Sequence, residues 1–318
     1  MIIGGAEDKL RKRRVLREFV TASGGPEARI VVIPTASSLG DEIVEMYDAL
    51  FRVEGAAEVS VVRPESREEA HDAELVEMLE KATGVFMTGG NQLKLSSVVC
   101  GTPVGAAIVA AHQRGAVVGG TSAGASIQAS HMVAFGAGGT TPKQRMTQMA
   151  AGLGLLPGTV IDQHFEQRNR YGRLLMMVAQ SPQLLGIGVD EDTAAVVDDG
   201  VLTVLGRGAV TILDPSRITT NAFDAKRSAP LLASGVVLHA LPDGARFDLV
   251  SRTLLPFGIN VDPLEAAELA EAEHDLPQMA RDIAAADASP GALRRRLRRT
   301  RKNRLRGSRD TDQDGDHA

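Results

Sequence analysis

The sequence predicts an α/β protein with a mostly parallel sheet flanked by helices. Three observations carry that prediction. Short apolar runs such as Ala28-Arg29-Ile30-Val31-Val32-Ile33 and Gly84-Val85-Phe86-Met87 read as strands covered on both faces. Segments with helical apolar spacing alternate with these runs, as parallel strands with crossover helices require. Gly120-x-Ser122-x-Gly124 follows one strand and opens a helix, a nucleophile-elbow pattern. A serine there sits on a sharp turn with its hydroxyl pushed outward, and flanking glycines leave room for the crossing chain.

Taken in order, Met1-Ile2-Ile3 reads as a strand entering the turn Gly4-Gly5. Asp8 to Thr21 places Leu10, Val15, Leu16, Phe19 and Val20 at amphipathic-helix spacing. Ala28 to Ile33 is a strand ended by Pro34, and Asp41 to Val53 is a helix with Ile43, Met46, Tyr47 and Leu50 on one face. Glu58 to Val62 is a strand, Ala70 to Ala82 a helix, and Gly84 to Thr88 a strand running into Gly89-Gly90-Asn91-Gln92. Helices follow over Leu93 to Val99 and Pro103 to Arg114, then the strand Gly115 to Val118 and the Ser122 turn. The glycine- and threonine-rich stretch Val133 to Gly154 reads as irregular. Val160-Ile161 and Gly186 to Val189 are strands, and Ala194 to Leu205 is two strands around an Asp-Gly turn. Ala209 to Leu213 and Gly235 to Leu241 add strands, so the late part turns antiparallel and extends the same domain. Leu264 to Ala285 reads as an acidic helix. The expected organisation is one catalytic domain over 1–285 and a charged, disordered tail over 286–318.

Composition narrows the function class. Aromatics are only 3% of the 318 residues and tryptophan is absent, so the core must be built mostly from aliphatic side chains and methionine. The single cysteine, Cys100, excludes an intrachain disulfide and a cysteine-based metal cluster. The chain has no run of 18 apolar residues, which predicts no membrane span, and its first residues do not resemble a signal peptide. A cytoplasmic enzyme is the expected class. Residues 1–291 carry 25 basic against 36 acidic groups, a net −11. That excess argues against nucleic acid as the main ligand.

A serine hydroxyl needs a base, and the base needs an orienting group. Of the seven histidines, His164 stands apart. It lies in Val160-Ile161-Asp162-Gln163-His164-Phe165, where a strand runs into a polar loop through Arg168, Arg170 and Arg173. The orienting acid can be Asp190, Glu191 or Asp192, all at the end of the strand Gly186 to Val189. Residue logic alone leaves those three open. Neither a cysteine cluster nor a His-Glu-x-x-His segment is present, so neither a metal nor another cofactor is expected.

Six segments also stand in a recognisable order: Ile2-Ile3-Gly4-Gly5-Ala6-Glu7-Asp8-Lys9, Ile33-Pro34-Thr35-Ala36-Ser37, Gly89-Gly90-Asn91-Gln92, Gly119 to Ala125, Asp162-Gln163-His164-Phe165 and Val189 to Ala194. Together they resemble the cyanophycinases, of the serine peptidase family that also includes aspartyl dipeptidase. The likeness spans roughly residues 1 to 260. It implies a class I glutamine amidotransferase-like fold and a triad of Ser122, His164 and Glu191. It implies hydrolysis of cyanophycin, a poly-aspartate backbone with arginine on each β-carboxyl, to β-aspartyl-arginine. It also implies a homodimer. Oxyanion donors are expected from the amides of Ala123 and Gly90. Arg168, Arg170 and Arg173 are expected to hold substrate carboxylates or carbonyls, Asp162 a substrate guanidinium, and Gln92 and Gln163 amides. An alternative substrate is a short aspartyl or isoaspartyl peptide. A non-catalytic binding protein on the same scaffold is a third reading, opposed by the intact Ser, His and Glu set.

Overall fold

The computed structural model describes residues 1–257. The expected helix over 264–285 and the tail over 286–318 lie outside the described residues. The parallel half runs β1 (Ile2–Ile3), α1 (Arg14–Ala22), β2 (Arg29–Ile33), α2 (Asp41–Val53), β3 (Glu58–Val61), α3 (Ala73–Lys81), β4 (Gly84–Met87), α4 (Gln92–Val99), α5 (Pro103–Gln113) and β5 (Val117–Thr121). There follow α6 (Ala123–Ser126), β6 (His131–Gly136), β7 (Thr147–Ala151), β8 (Thr159–Gln163), α7 (Tyr171–Gln180), β9 (Leu185–Val189), β10 (Thr193–Asp198), β11 (Val201–Gly206) and β12 (Val210–Asp214). Short strands complete the chain: β13 (Thr219–Thr220), β14 (Ala233–Ser234), β15 (Val237–Leu241), β16 (Arg246–Asp248) and β17 (Thr253–Leu254).

A nine-stranded sheet has the order β17-β16-β11-β10-β1-β5-β4-β2-β3. From β1 to β3 its pairings are parallel, and from β1 to β17 they are antiparallel. Alternate side chains explain the continuous apolar runs. Val31, Ile33, Val85 and Met87 pack toward α3, α4 and α5. Ile30, Val32 and Phe86 pack the other way, onto Phe19 of α1 and Tyr47 and Phe51 of α2. The few aromatics are concentrated there, with Phe86 4.8–5.2 Å from the rings of Phe19, Tyr47 and Phe51.

The later strands do not simply prolong this sheet. β15-β12-β9-β8 form a second, four-stranded sheet. Its Ile161, Ile187, Val189 and Ile212 pack against Ile2, Ala195, Val204 and Phe247 of the first. α7 covers its other face through Leu174 and Val178. Three expectations are corrected. Residues 133–154 are irregular only in part: β6 and β7 pair antiparallel, with a register shift between Val133 and Phe135, and residues 137–146 between them stay outside strands and helices. Helix α1 begins at Arg14 rather than Asp8, because Asp8 folds residues 10–13 around its own carboxylate, accepting four backbone N–H bonds. The polar loop after His164 ends sooner than expected, since Tyr171 to Arg173 form the first turn of α7.

Candidate active site

The site lies where β1, β5, β8 and β9 end. Three successive carbonyls at the end of β1 gather its segments. Ile3 O accepts Ser122 N–H at 3.0 Å, Gly4 O accepts His164 N–H at 2.8 Å, and Gly5 O accepts Asp192 N–H at 2.9 Å. The loop is built against these neighbours so closely that it must be glycine. A Cβ on Gly4 would stand 1.9 Å from the Asp190 carbonyl oxygen, and one on Gly5 2.2 Å from the His164 ring.

Ser122 holds φ 53° and ψ −105°, a conformation costly for a residue with a Cβ. The glycines on either side permit it. A Cβ on Gly120 would meet the Gly124 carbonyl oxygen at 2.2 Å, and a Cβ on Gly124 would meet that of Met87 at 2.2 Å. The serine is thereby aimed at His164, whose Nε2 lies 3.0 Å from Ser122 Oγ. His164 Nδ1 lies 2.6 Å from Glu191 Oε1. A carboxylate only accepts, so Nδ1 carries the proton and Nε2 accepts from the serine. Burial pushes the His164 pKa below its ordinary value, although the hydrogen bond to Glu191 opposes this. Imidazole is therefore neutral at pH 7 and able to take a proton.

The three adjacent acids do different work. Asp190 accepts the amides of Glu166 and Ala209 at 3.1 and 3.0 Å, and Asp192 accepts that of Asp8 at 2.8 Å. Among the three, Glu191 reaches the histidine. Its own amide donates to Gln167 Oε1 at 3.0 Å. The amides of Ala123 and Gly90 donate to no described residue. Gly90 has φ 142°, and a Cβ there would strike the Ala36 carbonyl oxygen at 2.0 Å.

The expected substrate contacts fare differently. Asp162 is fully buried, and Arg170 and Arg173 share its carboxylate. Its carboxylate is thus engaged by two arginines of the chain itself, where the sequence reading expected a substrate guanidinium. Gln163 is buried with Oε1 accepting from Arg170 at 2.7 Å, and Gln92 donates to the Val133 carbonyl at 2.6 Å. Arg170 and Arg173 are 8% and 3% exposed, and both guanidinium groups are engaged by Asp162. Arg168 is exposed and makes no side-chain hydrogen bond or ion pair with a described residue. No group of three or more His, Cys, Asp or Glu among the described residues could hold a metal ion.

Sequence reasoning does not single out one buried acid beside the site. Glu7 is buried behind the serine and accepts from Thr121 Oγ1 and Tyr47 Oη at 2.6 Å each, with Lys9 Nζ 2.9 Å away. Burial raises its pKa, but Lys9 and the two hydroxyls outweigh burial and leave it below the ordinary value. Its signal was position: an acid in the loop that ends β1.

The fold is of the α/β class, with a large central sheet flanked by helices. The model of Peptidase family S51 matches residues 1–205, and the chain belongs to that family of serine-type peptidases. It is 44% identical over 260 residues to the cyanophycinase of Nostoc sp. (strain PCC 7120), covering 80% of this chain and 87% of that one. It is 41% identical over 261 residues to the cyanophycinase of Synechococcus elongatus, covering 78% of each chain. The crystal structure of a peptidase from an acI-B1 Actinobacterium shares the fold, with a TM-score of 0.52 at 22% identity, covering 74% of this chain and 94% of that one.

Proposed function

We propose that this chain hydrolyses cyanophycin to β-aspartyl-arginine through an acyl-enzyme on Ser122. The observation that carries the proposal is the unbroken hydrogen-bond line from Ser122 through His164 to Glu191 in a chain of family S51. The substrate rests on the cyanophycinases it resembles. The finer fold reading goes with it: a class I glutamine amidotransferase-like sheet with Ser122 on a nucleophile elbow.

In this reading Ser122 Oγ attacks the carbonyl carbon of the scissile backbone amide while His164 Nε2 takes its proton. Glu191 holds the imidazole in the accepting tautomer and balances its charge once protonated. The oxyanion is met by the amides of Ala123 and Gly90. Collapse breaks the C–N bond, and His164 returns the proton to the leaving amine. Water then attacks the ester by the same route and regenerates Ser122. Arg168, exposed and without a side-chain partner among the described residues, would meet a substrate carboxylate in this reading. Arg170, Arg173, Asp162 and Gln163 act beneath it by fixing the strand and helix that carry His164.

The working state in this reading is a cytoplasmic homodimer whose catalytic domain ends before the charged tail. Incubating pure protein with insoluble cyanophycin and identifying the soluble products by mass spectrometry tests the reaction. β-Aspartyl-arginine is the expected product. Turnover of plain aspartyl dipeptides with the polymer untouched would favour the dipeptidase reading instead.

A further inference from the structure

Beside the triad, at the same end of the large sheet, lies a cavity of about 600 Å³ that the chemistry above does not use. Its charged lining is Asp8, Arg11, Lys12, Arg14, Asp192 and Arg207. The two acids are already engaged with backbone. Asp8 accepts the N–H groups of Leu10, Arg11, Lys12 and Arg13, and Asp192 accepts that of Asp8. Arg14 is paired with Asp243 at 3.0 Å. Arg11, Lys12 and Arg207 are exposed and form no ion pair with any described residue. The cavity is thus a local positive patch on a chain whose first 291 residues sum to −11. The turn around Asp8 fixes the backbone from which the Arg11 and Lys12 side chains project.

Position gives the patch its meaning. Thr121, Ile3, Ala194 and Leu205 stand in register across β5, β1, β10 and β11. Three strand spacings separate the nucleophile's strand from the strand that leads to Arg207, about 14 Å. An extended polypeptide covers that span in about four residues. In a polymer with every β-carboxyl amidated by arginine, the anionic groups along the chain are the arginine α-carboxylates.

We propose that this cavity is a second polymer subsite, in which Arg11, Lys12 and Arg207 bind arginine α-carboxylates of units about four backbone residues from the bond being cut. The proposal rests on the cyanophycin reading above. It makes the enzyme selective for chain length by contacts that a short substrate cannot reach. These contacts are exposed, so they weaken with added salt.

The test compares wild type with Arg11→Gln/Lys12→Gln/Arg207→Gln on two substrates, the polymer and an oligomer of two β-aspartyl-arginine units. The variant should lose about tenfold in kcat/KM on the polymer, as expected for three exposed charge contacts, and stay within about twofold of wild type on the oligomer. A second variant, Arg11→Lys/Arg207→Lys, should retain most polymer activity. With Ser122→Ala as background, the triple variant should also co-sediment less with insoluble cyanophycin, and the wild-type cavity should lose its grip as salt rises. Unchanged polymer turnover in the triple variant, or an equal loss on both substrates, overturns the subsite. Wild type that leaves the polymer intact overturns the cyanophycin reading itself, a separate outcome.

Discussion

Replacing Gly5 by alanine tests whether the β1 loop sets the position of His164, the base of the proposed mechanism. The added Cβ would lie 2.2 Å from His164 Cε1 and 2.5 Å from Nε2. Carbon atoms settle near 3.5 Å, so the ring must retreat by about 1.3 Å. From a starting separation of 3.0 Å, such a shift breaks the Ser122 hydrogen bond or bends it out of line. A displacement of about 1 Å in a catalytic group costs roughly 10²-fold in rate. Gly5 also sits at φ +105°, where a side chain adds about 1–3 kcal/mol of backbone strain. Gly55 separates the two effects. Its φ is +102°, yet a Cβ there meets nothing within 4 Å. Gly55→Ala should therefore melt earlier, by a few degrees per kcal/mol, and keep full turnover. Gly5→Ala should melt earlier and lose about 10²-fold in the release of soluble product from cyanophycin. Thermal melts by circular dichroism and product release measured side by side decide the matter. Equal turnover in the two variants would refute the claim that this loop positions His164.

Three further outcomes follow from the same geometry. Glu191→Gln should keep its fold and lose about 10²–10⁴ in kcat, since an amide can present an N–H to Nδ1 and favour the wrong tautomer; Asp190→Asn or Asp192→Asn causing the larger kinetic loss would reassign the acid. In the proposed mechanism His164 acts when neutral, and burial lowers its pKa, so kcat/KM should be level near pH 7 and fall only as acid protonates His164 below its ordinary 6.5; an acid limb centred above pH 7 would contradict this. Glu7→Ala should destabilise the fold by about 3 kcal/mol in denaturant titration, because two hydroxyls and Lys9 lose a buried acceptor. The folded pKa of Glu7 lies below its ordinary 4.5, so its contribution is present above that pH and fades as pH falls through the folded value. A wild-type-to-variant gap that widens in acid would count against the assignment.

The parallel half of the fold was legible because both faces of β2 and β4 are covered, leaving continuous apolar runs that alternate with amphipathic helices. The Asp199-Gly200 turn likewise announced the pairing of β10 with β11. Hairpin β6–β7 was not legible, since its glycines and its shift at Val133 erase strict alternation. The start of α7 was hidden because Arg170 and Arg173 look like loop residues until Asp162 is seen to take both charges inward. Ser122 and His164 stood out locally, one in a glycine-flanked turn and one at a strand end. The choice among Asp190, Glu191 and Asp192 needed the family resemblance. Only the meeting of distant loops brings Glu191 to His164, with Asp190 and Asp192 turned to backbone amides. Glu7 was missed for the same reason, since its partners Tyr47 and Thr121 are 40 and 114 residues away.

The most direct measurement is the rate at which Ser122→Ala releases β-aspartyl-arginine from cyanophycin, beside wild type of matched thermal stability. Loss of the nucleophile from an intact relay should lower turnover by about 10⁴–10⁶. A variant that releases the same product at a tenth of the wild-type rate or more would contradict the assignment of Ser122 as nucleophile.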